Sequence, residues 1–206
     1  MKSFTKFALF TSFAIASLTI IPVLAQYPPA PDTGTPDGQR TPGGSRPELI
    51  TCKHTNQPLT ALVPKNAKGL TAVEHPSFWF YIPYSPEDVE SIEFSLHNRE
   101  EKSTLYRTSL QLTKIPGIIE ISLPPSSNYS LQLNQTYHWY FTVECKSNKQ
   151  LLILDGWITR VQSSSELWYD QLTNLAKQYF FNQQNTEVKQ AFLNLLKSVG
   201  LETLVE

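Results

Sequence analysis

Apolar and polar residues alternate with a period of two through the middle of the chain, which is the pattern of half-buried strands. The clearest runs are 77–82, 89–97 and 136–145, each bounded by proline, glycine, asparagine or serine. Shorter runs with the same pattern occupy 59–63, 69–73, 103–112, 118–123 and 150–161. Strands that follow one another closely, with no helix between them, favour two sheets packed face to face.

The run over 136–145 is the most informative strand. Tyr137, Trp139 and Phe141 share one face, and His138 and Tyr140 share the other. The residues just before it, 133–137, resemble the corner before strand F in immunoglobulin-like sandwiches, where a tyrosine hydroxyl bonds back to upstream backbone. We therefore predict a mostly β protein, an immunoglobulin/fibronectin-III-like antiparallel β-sandwich, with Trp139 in its core.

After Val161 the apolar residues recur every three or four positions, which predicts helices. Ser163 and Glu166 have the spacing of a capping box, and Gly200 suits the end of a second helix over 186–199. We expect a C-terminal α-helical hairpin whose apolar stripes pack on the sandwich or on each other. The alternative is that one stripe forms a docking groove for a partner.

The first 48 residues do not have the composition of a folded domain. Residues 1–25 combine Lys2 and Lys6, an apolar stretch and a small-residue end at Ala25, which is the layout of a secretory signal peptide. An uncleaved anchor is the alternative. Residues 26–48 are rich in proline and glycine and predict a disordered linker. The predicted organisation is thus signal peptide 1–25, linker 26–48, β-sandwich 49–162 and helical hairpin 163–206.

Charge and cysteine content narrow the classes of function. The 17 basic and 18 acidic residues give a net charge of −1, and removing the signal peptide leaves 15 against 18, or −3. This excess of acid disfavours nucleic-acid binding and a lasting membrane-surface role. In an exported protein Cys52 and Cys145 are expected to form a disulfide, with two free thiols or a cysteine nucleophile as alternatives.

Few residues suggest chemistry. The four histidines and two cysteines do not have metal-ligand spacing, and no serine-hydrolase elbow is present, so we expect no metal, no cofactor and no assigned catalytic residue. Glu100 and Glu101 lie in a predicted hairpin loop and are expected to be solvated. Asp155 precedes Gly156 within a strand, where a hydrogen bond beside a bulge or a close backbone approach is expected.

Aromatic and cationic residues on the second faces of the strands form the candidate binding face. They are expected either to be exposed or to be covered by the helical hairpin, through Trp168 and Tyr179. Exposed rings of this kind stack on sugars or anchor a protein partner. The six residues of this face are Trp79, Tyr81, Arg107, His138, Tyr140 and Arg160.

The segments from Pro58 to about Val205 resemble, in order, one known family, the secreted cyanobacterial domain of unknown function numbered 928. The resemblance implies export and one domain, and it supplies no activity and no catalytic residues. It is carried by LTALVP (59–64), FWFYIPY (78–84), EFSL (93–96), YRT (106–108), PGIIEISLP (116–124), YHWYF (137–141), GWITRV (156–161), LWYD (167–170) and SVGL (198–201).

The function we expect is therefore that of an exported, non-catalytic interaction module in the periplasm, the cell envelope or the extracellular space. Its partner would be an envelope protein or a polysaccharide. One alternative is a carbohydrate-binding module that uses the outward aromatics. The other is a cell-wall polysaccharide hydrolase, which needs two carboxylates facing each other across a cleft.

Overall fold

The computed structural model describes residues 34–43, 51–113, 116–163 and 167–205. Within these residues eight strands precede two helices, and none of the helices is long and apolar enough to cross a membrane. The elements are β1 (Thr60–Ala61), β2 (Lys68–Thr71), β3 (Ser77–Ile82), β4 (Val89–Asn98), β5 (Thr104–Leu110), β6 (Gly117–Ser122), β7 (Thr136–Cys145), β8 (Leu151–Arg160), α1 (Trp168–Phe181) and α2 (Thr186–Lys197).

The strands form two sheets. One has the order β1-β3-β6 and the other the order β2-β8-β7-β4-β5. The mostly β class and the two C-terminal helices are thereby confirmed. The prediction of a wholly antiparallel arrangement is wrong for one pair, because β2 runs parallel to β8. Alternation of side chains shows which face a residue lies on, but it carries no information about the direction of the neighbouring strand.

Aromatic rings from both sheets fill the space between them. Phe78 and Phe80 of β3 point towards β4 and β7, where Phe80 stacks on Phe141 with ring centroids 3.9 Å apart. Phe78 lies 4.7 Å from Phe94, and Trp139 is fully buried among these rings. The two sheets therefore pack through the faces that the alternating pattern marked as apolar.

A glycine makes room for the largest core side chain. Gly156 of β8 lies opposite Trp139 of β7, and a Cβ atom at Gly156 would stand 2.4 Å from the Trp139 ring. The same Cβ would stand 2.4 Å from the carbonyl oxygen of Ala67. The close backbone approach expected at this position is therefore present.

The corner before β7 also has the expected bond. The Tyr137 hydroxyl accepts a hydrogen bond from the backbone N–H of Gln132 at 2.9 Å. Asn134 has a positive φ of 60°, a conformation that asparagine tolerates better than most residues, and this turns the chain into the strand. The bond fixes the start of β7 to the loop that leads into it.

Helix α1 packs on the outside of the three-stranded sheet and is fastened to the end of β2. The carboxylate of Asp170 accepts hydrogen bonds from the Thr71 hydroxyl at 2.5 Å and the Ala72 N–H at 2.8 Å. The helix begins at Trp168 with Leu167 as its N-cap, so Ser163 does not cap it as predicted. The position of α1 follows from its contacts with the sheet rather than from the spacing of Ser163 and Glu166.

Helix α2 closes the hairpin on α1. Asn185 caps it by accepting hydrogen bonds from the backbone N–H groups of Glu187 and Val188. Phe192 is fully buried and stacks on Tyr179 of α1 at 5.3 Å. The apolar stripes therefore pack within the protein, as the first of the two alternatives for the hairpin expected.

Residues 34–43, which we call the N-terminal strap, lie against the domain. Gln39 forms an antiparallel bridge with Asp155, and the Arg40 guanidinium donates to the carbonyls of Val63 at 3.3 Å and Val199 at 2.9 Å. The prediction of a disordered linker is wrong over this stretch. The composition argument considered only the apolar area that the segment buries, whereas hydrogen bonds to the domain hold it. Residues 26–33 and 44–48 of the predicted linker, and the signal peptide, lie outside the described residues.

Cys52 and Cys145 form a disulfide, with their Cα atoms 4.9 Å apart. The predicted pairing is confirmed, and the alternatives of free thiols or a cysteine nucleophile are wrong. The bond joins the chain ahead of β1 to the end of β7, two points 93 residues apart in sequence.

Candidate functional site

The six residues of the predicted binding face do not form one surface. Trp79 lies on the outside of the three-stranded sheet, where α1 covers it and leaves 4% of it exposed. Its Nε1 donates to the Thr173 hydroxyl at 3.1 Å, and its ring stacks on Phe180 at 6.0 Å. Tyr81 is half-buried on the same side. The cover expected from Trp168 and Tyr179 is provided here by Thr173 and Phe180.

The other four residues divide between two further environments. His138, Tyr140 and Arg107 lie on the outer face of the five-stranded sheet, meaning the face turned away from the three-stranded sheet. Arg160 is apart from them, because its guanidinium donates to the Leu131 carbonyl at 2.7 Å and pairs with Glu74 at 2.9 Å. Only this outer face keeps several of the predicted residues together.

His138 is held between two carboxylates on that face. Its Nδ1 lies 2.6 Å from a Glu101 oxygen, and its Nε2 lies 3.0 Å from an Asp155 oxygen. The Tyr140 hydroxyl donates to Glu101 at 3.0 Å, and the Trp157 ring stacks on the imidazole at 3.8 Å. We call these five residues the His138 cluster. It joins the β4–β5 loop to β7 and β8.

The hydrogen bonds of the cluster set the charge of two of its members. The hydrogen bond from His138 is the largest influence that lowers the pKa of Glu101 below its usual value. Burial, followed by the bond to Glu101, raises the pKa of Tyr140 well above its usual value. Tyr140 therefore stays a neutral donor and Glu101 an ionised acceptor across the physiological range.

This geometry does not favour acid–base catalysis by His138. Both ring nitrogens already contact carboxylates, so neither is free to exchange a proton with a substrate. A neutral imidazole has a single N–H, so both contacts are hydrogen bonds only when the imidazole or one carboxyl carries an extra proton. The contacts therefore describe a cross-link between strands. The two acids are also joined through His138 rather than facing each other across a cleft, which removes support for the hydrolase alternative.

A serine–histidine contact lies beside the cluster. His97 Nε2 is 3.0 Å from the Ser95 hydroxyl, and its Nδ1 is 3.2 Å from the Thr104 hydroxyl. Burial is the largest cause that lowers the pKa of His97. A serine nucleophile of the triad type needs a histidine base that a carboxylate orients, together with donors for an oxyanion. The group that contacts the second nitrogen of His97 is the Thr104 hydroxyl and not a carboxylate. No group of three or more His, Cys, Asp or Glu residues within the described part of the chain is arranged to hold a metal ion.

Sequence reasoning missed the part played by Glu101. It belongs to the loop expected to be solvated, yet its side chain reaches two rings of β7. Glu101 has a positive φ of 56°, which marks a tight turn, and its N–H bonds to the Asn98 carbonyl at 2.9 Å. The direction of its side chain depends on this turn, which the charged run 98–102 does not specify.

A groove opens next to the cluster, between the strap and the first half of β8. Its volume is about 300 Å³. Leu151 and Ile153 are 54% and 45% exposed here, and they lie at neighbouring outward positions of β8. The groove is lined by Gln39, Pro42, Gly43, Leu151, Ile153 and Asp155.

The family model for the Domain of Unknown Function DUF928 matches residues 41–167 and 163–206. The chain belongs to the DUF928 family. No curated protein and no solved structure matches it. The DUF928 match covers both sheets and the helical hairpin, so the fold described here is that of the family domain in this chain. Secretion and a cyanobacterial source remain predictions.

Proposed function

We propose that this DUF928 protein is an exported, non-catalytic binding module whose binding surface is the outer face of the five-stranded sheet around Leu151 and Ile153. One observation carries the proposal. Two large apolar side chains stand exposed on neighbouring outward positions of β8, beside an open groove. Exposed apolar surface of this kind is typical of a site that a partner covers.

The remainder of the molecule supports this choice of face. The opposite side of the sandwich is covered by α1, which leaves Trp79 unable to serve as a sugar platform. The histidine nearest the groove is bound on both sides by carboxylates and is not available for catalysis. The Cys52–Cys145 disulfide is of the kind that persists in oxidising compartments, which supports export.

We also infer that the sandwich is of the immunoglobulin/fibronectin-III type. With β2 counted as an additional edge strand, the order β1-β3-β6 facing β8-β7-β4-β5 corresponds to three strands facing four, with β7 in the place of strand F. The Tyr137 hydroxyl bond to the Gln132 amide supports this inference, since a tyrosine corner precedes strand F in such domains. Domains of this type commonly serve as binding modules, although fold alone does not assign function.

The experiment is affinity capture on the immobilised, oxidised chain. Detergent-solubilised envelope proteins and purified wall polysaccharides are passed over it separately. We expect saturable retention of one protein, lost in the double variant Leu151→Ser/Ile153→Ser. The matched control is Leu133→Ser, because Leu133 is 43% exposed but lies outside the sheet. Retention that survives the double variant would contradict the proposed surface, and retention of polysaccharide alone would favour a carbohydrate-binding role.

A further inference from the structure

The first half of β8 has a backbone edge that no described residue pairs. β2 pairs with β8 only from Trp157 to Arg160, and the strap pairs with it only at Asp155. Between the start of the strand and Asp155, the described residues provide no partner on the side away from β7. We call residues 151–154 on this side the open edge of β8.

The peptide groups of Leu151 and Ile153 point towards this open edge. Along a strand, successive residues direct their N–H and C=O groups to opposite sides. Asp155 exchanges both backbone bonds with Gln39, at 2.9 and 3.1 Å, and the Trp157 N–H bonds to the Ala67 carbonyl at 2.8 Å. Leu151 and Ile153 are separated from these two residues by even numbers of positions along β8, so they lie on the same alternating set of the strand. Their N–H and C=O groups therefore face the groove and not β7.

We infer that the open edge of β8 binds an extended polypeptide segment of a partner protein, which adds to the five-stranded sheet as a further strand. The inference rests on the proposed function and names the class of partner for the same surface. A peptide backbone repeats its donors and acceptors every two residues, about 6.7 Å, and so matches the spacing of Leu151 and Ile153. A polysaccharide does not carry this regular alternation of backbone N–H and C=O groups.

The surroundings of the edge favour one isolated chain over another folded sheet. Gln39 already pairs at Asp155, so an incoming strand would continue a ladder that the strap begins. Beyond Gln39 the strap leaves β8, and Pro42 and Gly43 form the far wall of the groove. A second copy of this chain would have to bring an entire sheet edge past that wall, whereas an extended segment enters the groove alone. Leu151 and Ile153 would contact alternate side chains of that segment on the outer face.

The probe is a phage-displayed library of random 12-residue peptides, selected on the oxidised chain. Amide hydrogen exchange by NMR is measured before and after a selected peptide binds. We expect the amides of Leu151 and Ile153 to exchange rapidly in the free protein and to become protected in the complex. Methylating alternate amide nitrogens of the peptide on its pairing side should weaken binding about tenfold or more, because it removes the donors and keeps the side chains.

Two protein variants separate the edge from the face. Ile153→Pro removes an N–H that points into the groove and places the proline ring there, so it should weaken binding about tenfold or more. Thr142→Ala alters the neighbouring side chain on the same face and should leave affinity within about twofold, because the backbone of Thr142 is enclosed between β4 and β8. If Ile153→Pro does not fold, the methylated peptide gives the same test.

Several results would overturn strand addition. They are protected Leu151 and Ile153 amides in the free protein, no selected peptide that protects them, unchanged affinity after methylation, or dimers that bury the edge. If envelope-protein capture depends on Leu151 and Ile153 while peptides leave both amides unprotected, the binding surface stands and strand addition is wrong. If capture fails but peptides protect both amides, the edge binds peptides and the assignment to an envelope partner is wrong.

Discussion

Replacing Gly156 with alanine tests the packing on which both sheets depend. The added Cβ would stand 2.4 Å from the Trp139 ring and 2.4 Å from the Ala67 carbonyl oxygen. Cβ contacts essentially never fall below 3.0 Å, so both contacts have to lengthen by more than half an ångström, through movement of the two neighbours or of Gly156 itself. Trp139 is fully buried and Ala67 almost so, which leaves little room for movement.

The size of the effect follows from the kind of atom that is displaced. Overpacking a core usually costs about 1–3 kcal/mol. Here one neighbour is a backbone oxygen that accepts the Trp157 N–H at 2.8 Å, so moving it also strains a hydrogen bond between β8 and the turn before β2. We therefore expect about 3 kcal/mol of destabilisation, at the upper end of that range. In a domain of this size that lowers Tm by about 10 °C.

The assay is urea and thermal unfolding of the oxidised chain. The control is Gly200→Ala, where the nearest atom to the new Cβ is 3.9 Å away and only the positive φ of 72° opposes the change, at about 1 kcal/mol. In a Trp139→Phe background, Gly156→Ala should cost less, because the smaller ring lacks the atom that clashes. A Gly156→Ala variant as stable as Gly200→Ala would refute the close approach, and an equal cost in both backgrounds would assign it to Ala67 alone.

Two further predictions concern Asp170 and Glu101. Asp170→Ala should lower the free energy of unfolding by about 2 kcal/mol, because it leaves two donors at the end of β2 without their charged acceptor. Asp170→Asn keeps one acceptor oxygen and should lower the free energy of unfolding by less. Equal losses for the two variants in urea unfolding would contradict this. Glu101 has its pKa lowered in the folded protein, chiefly by the histidine hydrogen bond, so its contribution is present above its ordinary pKa of 4.5 and is lost as the pH falls through the folded-state value. Glu101→Gln should therefore lose less stability than the parent chain between pH 6 and pH 3. The difference should stay below about 1 kcal/mol, because the side chain is 47% exposed, and parallel stability curves would contradict the reasoning.

Local patterns were enough to predict most of the strands. The bounds of β3 and β7 match the predicted ranges, because alternation and the flanking turn residues are local properties. The same holds for α2, which begins at Thr186 as predicted. Alternation also placed Trp79 and His138 on outward faces. It could not show that the two strands belong to different sheets. Because β3 and β7 do belong to different sheets, the two outward residues lie on opposite sides of the sandwich.

The contacts that the sequence did not predict all join distant parts of the chain. Gln39 pairs with Asp155 across 116 residues, and Glu101 reaches His138 from a loop 37 residues earlier. Neither contact leaves a periodic signal, because it depends on where the strands come together in space. For the strap, a composition rule based on apolar burial is the wrong measure, since backbone and side-chain hydrogen bonds hold this polar segment to the domain.

The turn before β2 explains why β8 has an open edge. Ala67 adopts a positive φ of 53° and its carbonyl accepts the Trp157 N–H, so β2 joins β8 only from Lys68 onwards. If the segment before Lys68 also paired with β8, it would have to occupy the position beside Asp155 that Gly38 and Gln39 already fill. The strap and the late start of β2 therefore depend on the same few atoms at Asp155 and Gly156. One arrangement closes the second half of β8 and, among the described residues, leaves Leu151 and Ile153 facing a groove.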